Sequence, residues 1–157
     1  MIKINVVTVG KVKENYFSDG IKEYLKRIGK YADVNLVEVA EENFNKVDDS
    51  VIKTILERES ARIFPHLKGY VFCMAIEGTK YSSESFAKKL KTLTDNGTGV
   101  ITFVIGGSYG IDPKIKSRAD ALMSFSDMTF PHTMFRLMLT EQIYRAFSIN
   151  ANSSYHK

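Results

Sequence analysis

Apolar residues along the chain switch repeatedly between two periods. Ile2 to Val9 is a β-branched run closed by Gly10, which predicts a strand. Phe17, Ile21, Tyr24, Leu25 and Ile28 then recur at spacings of three and four, as one face of a helix requires. Val34 to Val39 predicts a second strand. Val51, Ile52, Ile55, Leu56 and Ile63 mark a second helix, ended by Pro65. Tyr70 to Ile76 predicts a third strand, and Ser82 or Ser83 caps a third helix carrying Phe86, Leu90 and Leu93. Val100 to Ile105 is a fourth, continuously apolar strand. Asp112-Pro113 opens a short helix, with Asp as cap and Pro at its first position. Ala121 to Phe125 predicts a fifth strand, and a final helix runs from Pro131 to about Ile149.

Strand–helix alternation from end to end predicts an α/β fold with a mainly parallel sheet flanked by helices. Continuous apolar strands such as the third and fourth belong in a sheet covered on both faces. No repeat or Pro/Gly-rich linker divides the 157 residues, so one domain spanning 1–157 is expected. The final helix carries Met134, Phe135, Leu137, Met138, Leu139, Ile143, Tyr144, Ala146 and Phe147 around much of its circumference. A helix apolar nearly all round is covered on nearly all sides. One side packs on the sheet; the rest predicts a second subunit, hence a homodimer.

Composition changes this picture little. The net charge of +4 is too small, and its lysines too dispersed, to single out a polyanionic partner. No apolar run approaches the roughly 20 residues of a membrane span. The N-terminus opens directly into strand sequence without the layout of a signal peptide, so a cytoplasmic location is expected. Cys73 is the single cysteine and lies within an apolar strand, which predicts a buried, inert thiol. His66, His132 and His156 show no metal-ligand spacing, and no metal is expected.

Two stretches could carry chemistry. Gly106-Gly107-Ser108-Tyr109-Gly110 leaves the fourth strand at its carboxyl end, where open α/β sheets bind ligands. Glycines there let a ligand lie against bare backbone; a plain tight turn fits the spacing equally well. Its Gly-Gly-x-x-Gly pattern departs from the dinucleotide fingerprint and follows the fourth strand instead of the first. Asp127 nevertheless stands about twenty residues on, where a ribose-binding acid belongs. The second stretch, Ser124 to His132, alternates small polar residues with Phe125, Met128 and Phe130. It could enclose an adenine between apolar side chains, or it could be a packed connection.

Together the two stretches resemble the RlmH family of SPOUT methyltransferases, which modify a pseudouridine in helix 69 of large-subunit rRNA. The resemblance covers essentially the whole chain. It runs through Val9-Gly10-Lys11, Glu23 to Arg27, Phe103 to Gly107, Ser124 to His132, Glu141 to Ala146 and the terminal Tyr155-His156-Lys157. It implies an α/β knot fold whose C-terminal part forms a trefoil knot and mediates dimerisation. It also implies S-adenosylmethionine in the knot loops, touching Met74, Gly106, Phe125, Ser126, Asp127, Met128, Thr129 and Phe130. The segment Asn150 to Ser154 departs from the Gly- and acid-containing turn of many members, and Asp127 replaces a residue that is basic in some.

On this resemblance the acceptor is N3 of a pseudouridine, a weakly acidic imide that must lose its proton. His156 on the tail is a candidate to orient or deprotonate the base, with Tyr155 stacking on it or bonding to it. His132 is a second base candidate, or else a structural residue of the helix start. Arg136 and Arg145 are candidates for phosphate contacts; Arg145 alternatively pairs with Glu141 four residues away. No RNA-binding domain is appended, so recognition of rRNA within the assembled ribosome, by shape and phosphates, is expected. The competing class is a non-catalytic ribosome- or nucleotide-binding protein of the same fold, and a nicotinamide-dependent enzyme comes third.

Overall fold

A computed structural model describes all residues, Met1–Lys157. Its five strands are β1 (Lys3–Val9), β2 (Asp33–Val39), β3 (Tyr70–Lys80), β4 (Val100–Ile105) and β5 (Ala121–Ser124). They form one sheet in the order β2-β1-β4-β3-β5, with every neighbouring pair parallel. The helices are α1 (Asn15–Ile28), α2 (Asp49–Ile63), α3 (Ser83–Asp95), α4 (Pro113–Arg118) and α5 (His132–Asn150).

Alternate strand residues feed two separate cores, as the two-residue period requires. Ile4, Val6, Phe72, Ile101 and Phe103 meet Ile28 of α1, Phe86 and Leu90 of α3, and Leu139, Ile143 and Ala146 of α5. Phe72 and Phe103 stack at 5.0 Å, with Phe86 edge-on to both. On the other face Val7, Val9, Val71, Cys73 and Val104 meet Ile63 of α2 and Ile115 of α4. The thiol of Cys73 is buried there, which pushes its pKa up to about 12.

Helix starts follow their caps. Asp48 accepts the Val51 amide at 2.9 Å, Ser82 that of Ser85 at 3.0 Å, and Asp112 that of Lys114 at 2.8 Å. Pro131 precedes α5 as its cap residue instead of opening its first turn.

β3 runs to Lys80, four residues beyond its expected end at Ile76. Its ladder with β5 breaks after Met74↔Met123 and resumes at Thr79↔Met123, so the residues between bulge out of register. Gly78 lies so close to the Leu122–Met123 backbone that a Cβ there would approach to 2.6 Å. α5 is sandwiched between α1 and α3, and none of its residues from His132 to Asn150 is fully exposed. Part of its apolar circumference is therefore met within the protomer. No helix is long and apolar enough to cross a membrane.

Candidate active site

Because the sheet is parallel, β3, β4 and β5 deliver their carboxyl ends to one edge. A cleft of about 230 Å³ opens there. Its walls come from Met74 of β3, Ile105 of β4, Gly110, and the loop that links β5 to α5.

That loop is folded by its own small polar residues. Ser124 Oγ donates to the Ser126 carbonyl at 3.1 Å, and Ser126 Oγ accepts the Met128 amide at 3.0 Å. Phe125 packs on Phe135 with ring centres 4.6 Å apart, which ties the loop to α5. Six residues expected at the cofactor line the cleft: Met74, Phe125, Ser126, Met128, Thr129 and Phe130.

Two others do not. Asp127 turns outward and pairs with Lys80 at 2.6 Å. Gly106 stands behind the wall, where a Cβ would come within 2.5 Å of the Gly110 carbonyl and 2.6 Å of Ile111. Its glycine serves a close approach of backbone to backbone. Gly110, with φ +87°, is the turn residue that lines the cleft. It was visible in the sequence as the last glycine of Gly-Gly-x-x-Gly.

His132 stands in the first turn of α5 and forms part of the cleft wall. Its Nδ1 is buried without a hydrogen-bond partner. Burial and the nearby Arg136 charge lower its pKa, against smaller opposing effects of Glu41 and Glu14, so the ring is neutral at pH 7.

Arg136 corrects its expected role at the RNA surface. Its side chain is fully buried, one helical turn beyond His132. Nη1 binds Glu38 at 2.8 Å, and Nη2 donates to the Val9 and Gly10 carbonyls at 3.3 Å each. The end of β1 therefore hangs on α5 through one guanidinium, which can reach no phosphate from this position.

The tail lies elsewhere. Tyr155 Oη donates to Glu141 at 3.0 Å and sits 3.4 Å from the Tyr24 hydroxyl. Burial and these two contacts raise its pKa. Arg145 grips Glu141 through Nε at 2.9 Å and spreads over the Tyr155 ring. His156 is held between Arg145, 3.1 Å from its Nδ1, and Glu84, 2.8 Å from its Nε2. With Arg145 donating to Nδ1, the neutral ring donates from Nε2 to Glu84. The i,i+4 pairing of Glu141 and Arg145 was legible in the sequence; Glu84, some seventy residues away in the chain, carried no such signal. Neither Tyr155 nor His156 lines the cleft of its own protomer. A second hollow lies between Tyr24, Phe86 and Glu141, and it shares Met123, Phe125 and Phe130 with the cleft.

Comparison with known proteins identifies the family. Residues 2–156 match the family described as predicted SPOUT methyltransferase. A protein of Streptococcus thermophilus named ribosomal RNA large subunit methyltransferase H is 47% identical over 159 residues, covering 99% of this chain and all of the relative. One of the same name from Bifidobacterium adolescentis is 48% identical over the same extent. Among solved structures, a probable methylase family protein from Haemophilus influenzae Rd KW20 superposes with a TM-score of 0.55 at 14% identity. The superposition covers 99% of this chain and 70% of that one, and shows a shared fold. The chain belongs to the SPOUT methyltransferases and, within them, to the RlmH family.

Proposed function

We propose that this methyltransferase moves the methyl group of S-adenosylmethionine to N3 of a pseudouridine in helix 69 of large-subunit rRNA. The substrate in this reading is the assembled ribosome, the working unit is a homodimer, and the compartment is the cytoplasm. The observation that carries the reading is the cleft itself. The loop 125–130 and the turn that ends at Gly110 meet at one sheet edge, in a chain nearly half identical to large-subunit rRNA methyltransferases.

The donor set suits the cofactor. Met74, Met123, Phe125 and Phe130 provide soft, apolar walls for a flat purine, and the loop backbone provides polar groups for its edge. When bound, S-adenosylmethionine supplies an already activated methyl carbon, so no metal or covalent nucleophile is required. The protein's part is alignment and removal of the imide proton. His132 is on hand in the wall. Tyr155 and His156, held off the cleft of their own chain, serve in this reading either the cleft of a second copy or a rearranged tail. A second copy is supported by Ile76 and Met128, which leave large apolar side chains exposed at the cleft rim. A C-terminal trefoil knot belongs to the same reading and is supported by the match to the SPOUT methyltransferase family.

Ribosomes lacking the modification, mixed with tritiated S-adenosylmethionine and the purified protein, test the proposal, with free rRNA as control. Label entering intact particles and not free RNA is the expected result. Cofactor binding without transfer to either would leave a non-catalytic binding protein of the same fold.

A further inference from the structure

Three buried polar atoms in the protein lack hydrogen-bond partners: Glu14 Oε2, His132 Nδ1 and Arg136 Nε. They belong to one neighbourhood. α1 and α5 lie side by side in the same direction, with Gly20 against Leu137, Tyr24 beside Tyr144 and Tyr31 stacked on Phe147. The start of α1 therefore lies beside the start of α5. Glu14 immediately precedes α1, and its side chain makes no capping bond there. A carboxylate oxygen is thus withdrawn from water and given no work by the helix it precedes.

The charged groups facing His132 are Arg136 from its own helix, Glu41 from the segment after β2, and Glu14. Arg136 has Nη1 and Nη2 engaged with Glu38 and two carbonyls; its Nε is free, but a guanidinium only donates and cannot accept the Nδ1 proton. Glu41 lies against Gly10. Among these three groups Glu14 alone offers a buried, unused acceptor, and His132 Nδ1 is a buried ring nitrogen with no partner.

We propose that Glu14 is a positioning residue for His132: its carboxylate accepts the Nδ1 proton, directly or through one water, and leaves Nε2 bare toward the cleft as proton acceptor. The proposal rests on the methyl-transfer reading above. A neutral imidazole carries one proton, so fixing it on Nδ1 decides that Nε2 can accept. In the step, the N3 proton of the acceptor base passes to Nε2. The electron pair freed on N3 forms the bond to the methyl carbon, and the C–S pair stays on sulfur. Burial and Arg136 keep the ring neutral beforehand, so the acceptor is ready at pH 7.

Ring nitrogen NMR of the free protein tests the pair without reference to activity, with His132→Gln identifying the signal. The wild-type ring is expected as the Nδ1–H tautomer. In Glu14→Gln the amide can donate as well as accept, so the tautomers mix, and loss of the carboxylate charge lowers the titration midpoint of His132. Glu14→Asp, one methylene shorter, mixes the tautomers with the midpoint near wild type. Because Glu14 makes no capping bond, both variants are expected to fold.

In methyl transfer to ribosomes, Glu14→Gln moves the acid limb of the rate profile to lower pH. Its kcat falls about ten-fold at unchanged KM, against a loss of about 100-fold or more for His132→Gln. A wild-type ring in the Nε2–H form overturns the proposal. So does a His132 tautomer and midpoint indifferent to both Glu14 variants. If the NMR behaves as expected but the wild-type protein methylates no ribosome, the reaction is what fails: the proton-acceptor role falls and Glu14 is left pairing a structural histidine.

Discussion

Arg136 carries a full charge to a place water does not reach, and three groups depend on it: Glu38 and the carbonyls of Val9 and Gly10. Arg136→Met removes the charge but strands its partners. Glu38 keeps some contact with water, so the loss belongs near the low end for broken buried pairs, about 3 kcal/mol by urea denaturation. Glu59 presents the opposite case. Burial pushes its carboxyl above the ordinary 4.5, so the folded state binds its proton more tightly than the unfolded chain does. The ionised form therefore costs stability, and the cost grows as pH rises through the raised value. Glu59→Gln, whose amide oxygen still accepts the Glu42 amide, is expected to have a higher Tm than wild type at pH 7. The difference should vanish below the ordinary carboxylate range. At Gly106 the limit is space: a methyl group meets the Gly110 carbonyl at 2.5 Å. Gly106→Ala should displace the turn and weaken S-adenosylmethionine binding in calorimetry at least ten-fold.

Elements were legible where burial alone shapes them. β1 and β4 are apolar because both of their faces are covered, and the hydropathy pattern marks their extents closely. β3 is different. Its last residues, Glu77 to Lys80, are polar, and they count as strand only because β5 offers a ladder again after the bulge. That register is a property of the pair, and no pattern within β3 contains it. The tail beyond α5 shows the same limit. Tyr155 and His156 stood out in the chain as a short aromatic–imidazole pair, while their partners Glu84, Glu141 and Tyr24 come from three helices. His156→Ala is expected to cut methyl transfer strongly and leave cofactor affinity near normal. Unchanged turnover would remove the tail from the mechanism.

The whole molecule is organised by one consequence of parallel strands: every βα turn that matters opens on the same edge. The candidate cofactor loop was not readable from composition alone, since small polar residues alternating with Phe125, Met128 and Phe130 also suit a packed connection; the family resemblance is what singled it out. Arg136 was misread because a helical arginine near a pocket looks the same in sequence whether it faces solvent or the end of a sheet. Glu14 was missed for a related reason, its neighbour being more than a hundred residues away. A second copy of the chain is expected to cover the apolar rim at Ile76 and Met128. Ile76→Asp with Met128→Asp should then convert a dimer to a monomer in light scattering and abolish transfer.

The most direct measurement digests large-subunit RNA to nucleosides, after ribosomes lacking the modification have reacted with the protein and labelled S-adenosylmethionine. All label in one 3-methylpseudouridine is the predicted result. Label in any other nucleoside, or none despite a filled cleft, would contradict the account.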